Sequence, residues 1–202
     1  MRVLITGGAG FLGSHLTDAL LERGDEVTIL DTASDLKIRH QLGNPRFRHV
    51  RDSVLNREIL EGLVSWCEVV YHLAAVVGVE HYVGDPYEVL NVNVNGTQIV
   101  LSVAFKARKK VIFSSTSEVY GKGRTVPFAE DGDRVLGSTR IDRWCYSTSK
   151  AVGEHFCFAF HKLGLPVVVL RYFNVYGPRL DRMDVGRVIT IFLGQLMRGA
   201  PL

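Results

Sequence analysis

Three glycines, spaced three residues apart, follow the first apolar run of the chain and open its first helical segment. The run is Arg2–Thr6 (RVLIT), and Gly7, Gly10 and Gly13 come next in GGAGFLG. A strand that turns directly into a helix presents free backbone N–H groups, which suit phosphate groups. Gly7 would permit the tight turn, Gly10 the approach of a pyrophosphate to the backbone, and Gly13 close packing of helix on strand. This stretch therefore predicts a dinucleotide site.

The rest of the chain alternates short apolar runs with longer stretches of helical periodicity. Strands are predicted at Arg2–Thr6, Glu26–Asp31, Arg46–Val50, Glu68–Leu73, Lys109–Ser114 and Pro166–Tyr172. Helices are predicted at Gly10–Arg23, Val54–Val64, Pro86–Lys106, Ser147–Leu163 and Val185–Arg198. Because most of these strands are almost entirely apolar, helices should cover both faces of the sheet. The pattern predicts an α/β fold with a doubly wound, Rossmann-like parallel sheet, formed by residues 1–202 as one domain.

Composition argues against several classes of protein. With 47% hydrophobic and 22% charged residues, the 202-residue chain suits one globular domain. The net charge of +3 is small and the basic residues are scattered, so no nucleic-acid partner is expected. No apolar run approaches the roughly 18 residues that span a bilayer, and the three cysteines lack metal-binding spacing. We therefore expect a cytoplasmic protein without a membrane or metal site.

An acidic residue ends the second predicted strand. Asp31 follows Gly7 by 24 residues, where a carboxylate can accept hydrogen bonds from both hydroxyls of a cofactor ribose. A carboxylate at this position also repels the 2′-phosphate of NADP. Together with the glycine turn, Asp31 predicts that the dinucleotide is NAD.

A tyrosine and a lysine one helical turn apart are the candidates for acid–base chemistry. Tyr146 and Lys150 in YSTSK share one face of a predicted helix. A phenol titrates at about pH 10 in water. Because a neighbouring ammonium should lower that pKa, we expect Lys150 to make Tyr146 a usable base. Such a pair alone is more often a surface feature. Here it accompanies the glycine turn and a strand that ends in hydroxyl groups, SSTSEVYG at Ser114–Gly121.

These features together resemble the extended branch of the short-chain dehydrogenase/reductase family, which acts on nucleotide sugars. The GxxGxxG spacing, the YxxxK pair and the stretches RDSV, HLAA, NVNGT and RYFN carry the resemblance over essentially all 202 residues. The resemblance implies NAD as cofactor and a nucleotide-diphosphate sugar as substrate. It assigns cofactor contacts to Gly7, Gly10, Phe11, Leu12, Gly13, Asp31, Asp52, Ser53, Leu73, Ala74, Ala75, Asn93, Ser114, Tyr146, Lys150 and Tyr172.

The resemblance also implies a chemistry. Thr116 takes the position of the family's catalytic Ser/Thr, which touches the reacting sugar hydroxyl, and forms a triad with Tyr146 and Lys150. Tyr146 would remove the proton of the sugar 4-hydroxyl while hydride leaves C4 for NAD, giving a transient 4-keto sugar. The fate of that ketone would depend on Ser117 and Glu118.

Ser117 and Glu118 lie in the form STSEVYG, which is similar to UDP-glucuronate decarboxylases. Decarboxylation of UDP-glucuronate is therefore the favoured interpretation. A 4-epimerase acting on UDP-glucose or UDP-glucuronate remains an alternative, as do a dehydratase and a non-catalytic NAD-binding module. The Asp typical of 4,6-dehydratases is replaced by Ser117, which counts against dehydration. A simpler role for Glu118 is that of an acid at a helix N-terminus.

Further implications concern the substrate and the assembly. Asn174 in YFNVYGPR is implied to bind the substrate diphosphate, and Arg179 to bind a carboxylate or phosphate, although a surface salt bridge would explain Arg179 equally well. Members of this family continue into a small C-terminal substrate lobe that is missing from these 202 residues. Because relatives often pair through the helices at Pro86–Lys106 and Ser147–Leu163, we expect a homodimer.

Overall fold

Parallel strands form a six-stranded sheet in the computed structural model, which describes residues 1–180 and 187–201. The strands are β1 (Arg2–Thr6), β2 (Glu26–Leu30), β3 (Phe47–Val50), β4 (Val69–His72), β5 (Lys110–Thr116) and β6 (Val167–Tyr172). The α-helices are α1 (Phe11–Glu22), α2 (Arg57–Trp66), α3 (Val79–Gly84), α4 (Pro86–Leu90), α5 (Gly96–Lys106), α6 (Trp144–Lys162) and α7 (Val188–Met197). Short 3₁₀ turns lie at Asp35–Lys37, Arg39–Gln41 and Ser117–Tyr120.

The order of the strands places a ligand crevice at the middle of the sheet. They lie side by side as β3-β2-β1-β4-β5-β6, and every pairing is parallel. The chain winds outward from β1 to β3, then returns to the centre and winds the other way from β4 to β6. Open α/β sheets bind ligands beyond the carboxyl ends of the strands at such a reversal, here between β1 and β4. The predicted fold is confirmed.

Hydrophobic residues are buried on both faces of the sheet, because alternate residues of a strand point to opposite sides. On β1, Leu4 joins a core cluster that includes residues of α2, α5 and α6. Its neighbours Val3 and Ile5 join a second cluster with residues of α1. All three side chains have 0% exposure, as expected for a central strand covered on both faces.

The helix predicted at Pro86–Lys106 is interrupted. A π-helical turn at Asn91–Asn95 separates α4 from α5. Within this turn Asn93 is buried, and its side chain bonds outside its own helix, to the backbone of Val76 and to the hydroxyl of Ser149. The turn therefore brings a polar side chain into contact with the loop after β4, which contains Val76, and with α6.

Other predicted boundaries move by a few residues. Helix α2 begins at Arg57 rather than at Val54, because the side chain of Asn56 caps it by accepting a hydrogen bond from the Ile59 N–H. Helix α3 was not predicted at all. The predicted start of the last helix, Val185, lies outside the described residues. No helix in the described ranges is long and apolar enough to cross a membrane.

Candidate functional site

A cavity of about 700 Å³ opens at the carboxyl ends of the strands, on the side predicted for ligand binding. Its lining unites the glycine turn, the ends of β2, β4, β5 and β6, and the N-terminal part of α6. It includes most of the residues singled out in the sequence: Gly7, Gly10, Phe11, Leu12, Gly13, Asp31, Asp52, Ser53, Leu73, Ala74, Ala75, Ser114, Thr116, Ser117, Glu118, Tyr146, Lys150, Tyr172 and Asn174. Asn93 and Arg179 are not among the lining residues.

On the side of the glycine turn that faces the protein interior there is no room for a side chain, whereas the side that faces the cavity is unobstructed. Gly7 has a φ of +76°, and a Cβ there would lie 2.6 Å from the backbone nitrogen of Ala74. A Cβ on Gly13 would collide with the backbone of Gly7 and lie 2.6 Å from Cα of Gly8. A Cβ on Gly10 would meet only the Gly7 carbonyl, at 3.2 Å. The turn therefore leaves space beside the N-terminus of α1, where the pyrophosphate of a dinucleotide fits.

Two carboxylates border the half of the cavity that lies beside β2 and β3. Asp31 accepts hydrogen bonds from the backbone N–H groups of Ala9 and Ala33, both at 2.9 Å. Asp52 accepts from its neighbour Ser53 at 2.6 Å and from the side chain of Asn56 at 3.0 Å. Held by these bonds, each carboxylate has a fixed position facing the cavity.

The tyrosine and the lysine of YSTSK meet the end of β5. Lys150 has 3% exposure, and its Nζ donates to the Ser114 carbonyl oxygen at 2.8 Å. Tyr146 has 7% exposure and forms a side-chain hydrogen bond with Thr116. The hydroxyl of Thr116 also accepts from the backbone N–H of Glu118 at 3.2 Å, which fixes its orientation. Three side chains of the predicted triad thus lie together on one wall of the cavity.

The pKa of Tyr146 shifts in the direction opposite to the one expected. Burial, and to a smaller extent the carboxylate of Glu118, raise it to about 12, and Arg187 and Thr116 only partly oppose this. Burial also lowers the pKa of the Lys150 ammonium to about 8. Desolvation is the largest cause of this shift, so the lowered pKa expected for Tyr146 is not found for the protein's own groups.

Glu118 is a half-buried acid beside these groups. Burial raises the pKa of its carboxyl, although the guanidinium of Arg143 opposes the effect. Its Oε2 atom is buried and has no hydrogen-bond partner among the described residues. Its backbone carbonyl accepts from the Ser147 hydroxyl at 2.6 Å, which ties the turn after β5 to α6. Because its pKa is raised, this carboxyl holds its proton more tightly than an exposed one and could transfer it to a group in the cavity.

Sequence reasoning missed Tyr82 on α3. Its ring stacks on that of Tyr146, with centroids 4.6 Å apart and planes inclined by 11°. Tyr82 has 2% exposure and lines the cavity. Parallel packing of this kind restricts the rotation of the Tyr146 ring. No local pattern marks α3, so the sequence carries no signal for this contact.

Asn93 lies behind the cavity wall. Its Oδ1 accepts from the backbone N–H of Val76 at 2.8 Å, and its Nδ2 donates to the Ser149 hydroxyl at 3.1 Å. With 2% exposure, Asn93 connects the loop after β4, which lines the cavity, to the helix that carries Tyr146. Its contacts are those of a residue that holds the cavity wall in place.

Arg179 forms a salt bridge with Asp18, which was the alternative to a role in binding a carboxylate or phosphate of the substrate. Its Nη1 lies 2.7 Å from Asp18 Oδ2 on α1. Asp18 also binds His40 and Gln41, each at 2.7 Å, in the segment that follows β2. The residue thus joins the segment after β6 to α1 and, through Asp18, to the loop that follows Asp31. Among the described residues no group of three His, Cys, Asp or Glu side chains could hold a metal ion.

A glycine turn lies where the strand order reverses, and a buried Tyr–Lys–Thr cluster faces it. This geometry is that of a dinucleotide-dependent enzyme with a Rossmann-type fold. The model of the NAD dependent epimerase/dehydratase family matches residues 3–202, and the chain belongs to this family. The predicted resemblance is therefore confirmed. The open face of the glycine turn and the carboxylate of Asp31 fit NAD, the cofactor for which the family is named.

Similar proteins include decarboxylases. The chain is 43% identical over 202 residues to the UDP-N-acetyl-alpha-D-glucosaminuronate decarboxylase of Bacillus cytotoxicus, covering all of this chain and 63% of the relative. It is 37% identical over 205 residues to UDP-glucuronic acid decarboxylase 1 of Xenopus tropicalis, covering all of this chain and 47% of the relative. The chain thus spans less than two thirds of the length of each.

Similar solved structures include an epimerase. The UDP-glucuronic acid 4-epimerase of Bacillus cereus, in complex with UDP-glucuronic acid and NAD, superposes with a TM-score of 0.87 and 34% identity. That comparison covers all of this chain and 65% of the epimerase chain. Together these proteins place the chain among relatives whose names describe two different outcomes, loss of a carboxyl group and inversion at C4.

Proposed function

We propose that the chain contains the catalytic centre of an NAD-dependent nucleotide-sugar enzyme that oxidises its substrate transiently at C4 and decarboxylates UDP-glucuronate or a closely related UDP-uronate. The observation that carries the proposal is the half-buried Glu118 beside Tyr146 and Thr116, with a raised pKa and a carboxyl oxygen that has no hydrogen-bond partner in the described part of the chain. Oxidation needs only the Tyr–Lys–Thr cluster. A second acid in the same cavity supports a reaction that must also move a proton to carbon.

In the oxidation step, Thr116 and Tyr146 bind the 4-hydroxyl of the sugar, and Tyr146 takes its proton. Bound NAD supplies the hydride acceptor and a positive ring charge, which favours the phenolate form. That positive charge counteracts the effect of burial, which raises the pKa of Tyr146 in the protein alone. Lys150, held on the Ser114 carbonyl, completes the group of fixed dipoles and charges around the phenol.

In the next step the 4-keto uronate is a β-keto acid. The bond between C5 and the carboxyl carbon breaks, carbon dioxide leaves, and the electron pair passes to the enolate of the C4 ketone. Glu118, whose pKa is raised by burial, can hold the proton that C5 then receives. Tyr146 would then return its proton to the C4 oxygen, and the reduced cofactor would supply the hydride for C4, so the net reaction consumes one proton from solvent.

The sequence relatives support this choice of substrate class. Two decarboxylases named for UDP-uronates align with the whole of this chain. Their names differ in whether the sugar carries an N-acetylamino group. Both UDP-glucuronate and UDP-N-acetylglucosaminuronate therefore belong in the first experiment. The chain aligns with only 63% and 47% of the length of these two relatives.

A 4-epimerase is the second candidate. It is favoured by the Bacillus cereus structure, a UDP-glucuronic acid 4-epimerase with 34% identity. Such an enzyme would form the same ketone and return hydride to its other face, without a proton to place on C5. The position of Glu118 then has no chemical use, which is why decarboxylation is preferred.

The test is to incubate the chain and NAD with each UDP-uronate and to separate the products by chromatography and mass spectrometry. Decarboxylation gives a UDP-pentose, N-acetylated where the substrate is, that is lighter than the substrate by one carbon dioxide. If the 4-keto form is released instead, the product is lighter by two further hydrogens and the cofactor is left as NADH. Epimerisation gives an isomer of unchanged mass. No change in either substrate, under conditions in which the chain binds NAD, contradicts both functions and leaves an NAD-binding module.

Variants of the chain separate the two steps. Tyr146→Phe should lose all product, because no base remains at the 4-hydroxyl. Glu118→Gln should still oxidise the sugar but should form the UDP-pentose about 100-fold more slowly, within the range for loss of the general acid that protonates C5. Glu58→Gln on α2 is a matched control in which the same change should have no effect. Full decarboxylation by Glu118→Gln would show that Glu118 has no part in the proton transfer.

We also propose that the protein forms a homodimer through helices α4, α5 and α6. Exposed apolar side chains on these helices support the proposal, among them Tyr87, Phe105 and Phe158. Large exposed apolar side chains on neighbouring helices often belong to protein interfaces. Light scattering should give twice the mass of the chain, and Phe158→Glu should halve it. A monomer at high concentration would contradict the proposal.

A further inference from the structure

A buried ion pair lies directly behind the catalytic wall of the cavity. Glu154 on α6 has 4% exposure, and the side chain of Arg171 on β6 has 17%. Arg171 donates from Nε to Glu154 Oε1 at 2.9 Å and from Nη2 to Oε2 at 2.7 Å. This is a bidentate salt bridge, in which two guanidinium nitrogens donate to the two carboxylate oxygens.

The Glu154–Arg171 pair also holds the end of β5. The hydroxyl of Ser115 donates to Glu154 Oε1 at 2.5 Å, and Ser115 pairs with Arg171 in the sheet register. Ser115 lies between the carbonyl that accepts from Lys150 and the hydroxyl that bonds with Tyr146. Because Glu154 follows Lys150 by one helical turn, a single carboxylate joins the helix of the base to the strand of its partners.

The same pair contacts the long segment between β5 and α6. Arg171 donates from Nη1 to the carbonyl of Glu130 at 2.9 Å. Its guanidinium lies over the ring of Tyr120, 4.8 Å from the centroid, and Tyr120 in turn stacks on Phe128 at 4.7 Å. Residues 121–143 therefore have a polar and an aromatic attachment to the ion pair, and the segment ends at Arg143, which lines the cavity.

We propose that Glu154 and Arg171 are positioning residues that hold three parts of the active site in one arrangement: the end of β5, the helix α6, and the segment 121–143. A buried ion pair contributes little net stability, because desolvation offsets the attraction between the charges. Its geometric value here is that one carboxylate and one guanidinium fix all three parts. The inference rests on the proposed function, since the arrangement it maintains is that of Thr116, Tyr146 and Lys150.

The test replaces both charges together, because removal of one alone would leave a buried unpaired charge. The double variant Glu154→Leu/Arg171→Met keeps the volume and should fold with a similar melting temperature. Single-turnover hydride transfer from a UDP-uronate should fall about 100-fold, the order expected for a misplacement near 1 Å. The Kd for NAD should stay within a factor of about three, because the glycine turn and Asp31 are untouched.

A matched control is the exposed ion pair of Arg57 and Glu61 on α2, whose charged atoms are 3.8 Å apart. Arg57→Met/Glu61→Leu should leave both hydride transfer and NAD binding unchanged, since this pair contacts no part of the site.

Amide hydrogen exchange gives a readout that is independent of the reaction. In the double variant, amides in residues 121–143 should exchange about tenfold faster, whereas those of β1 and α1 should not change. A folded double variant with wild-type hydride transfer, or with wild-type exchange in this segment, would overturn the inference. If the wild-type chain transfers no hydride, the proposed function fails, and the exchange of residues 121–143 alone decides whether the pair holds this segment.

Discussion

Removing the buried amine of Lys150 should change how the stability of the protein depends on pH. Lys150 is almost fully buried, and burial lowers the pKa of its ammonium from 10.5 to about 8. Between these pH values the unfolded chain carries a proton that the folded chain lacks, so stability rises with pH. This contribution is complete above pH 10.5 and is lost as the pH falls through 8. Lys150→Met cannot ionise and should lack it.

The expected size follows from the two pKa values. The gap between 10.5 and about 8 corresponds to about 3 kcal/mol of unfolding free energy. Relative to wild type, Lys150→Met should therefore be more favoured at pH 7 than at pH 10, by about 2 to 3 kcal/mol. The variant also loses the hydrogen bond to the Ser114 carbonyl, but this loss applies at both pH values and cancels in the comparison.

Urea unfolding followed by tryptophan fluorescence at pH 7, 8, 9 and 10 measures this difference. Other groups that titrate in the same range are shared by wild type and variant, so they cancel as well. Lys162→Met, an exposed position at the end of the same helix, is the control and should give no pH-dependent difference. A wild-type minus Lys150→Met difference that is constant from pH 7 to pH 10 would refute the claim that the amine is desolvated beside the site.

Three other substitutions test the parts that surround the catalytic wall. Gly13→Ala should destabilise the protein by about 1 to 3 kcal/mol and weaken NAD binding, because the added Cβ meets backbone atoms. Gly62→Ala on α2 places its Cβ in open space and should stabilise the protein by up to about 1 kcal/mol. Urea unfolding measures both changes, and equal stability of the two variants would contradict the prediction. Burial alone would raise the pKa of Asp18, but hydrogen bonds from Gln41, Arg179 and His40 lower it below 3.8. The ionised carboxylate therefore stabilises the folded protein above pH 3.8 and loses this contribution in more acidic solution, and Asp18→Asn should remove it. Asp31→Ala should reduce the preference for NAD over NADP at least tenfold, measured as a ratio of Kd values, and an unchanged ratio would disprove its role.

The parts of the fold that follow local patterns could be predicted from the sequence. Strands such as β1 are continuous apolar runs, and the glycines after β1 sit in a turn whose packing excludes a side chain at Gly7 and Gly13. The spacing of Tyr146 and Lys150 is a property of one helix, so their common position on the cavity wall also followed from the sequence.

What could not be predicted depends on contacts between distant elements. The stacking of Tyr82 on Tyr146 joins a short unpredicted helix to α6. The raised pKa of Tyr146 results from burial, which only the packed structure defines. Likewise, Arg179 reaches Asp18 across 161 positions of the sequence, and no local pattern distinguishes that salt bridge from a substrate contact.

The central claim is that Tyr146 takes the proton of the 4-hydroxyl of a nucleotide sugar while hydride passes from C4 to bound NAD. The most direct measurement uses UDP-glucuronate with deuterium at C4, mixed with excess chain and NAD and quenched within one turnover. Deuterium should appear on the nicotinamide ring with wild type and not with Tyr146→Phe. Product that forms without passage of deuterium to the cofactor, or transfer that survives in Tyr146→Phe, would contradict the account.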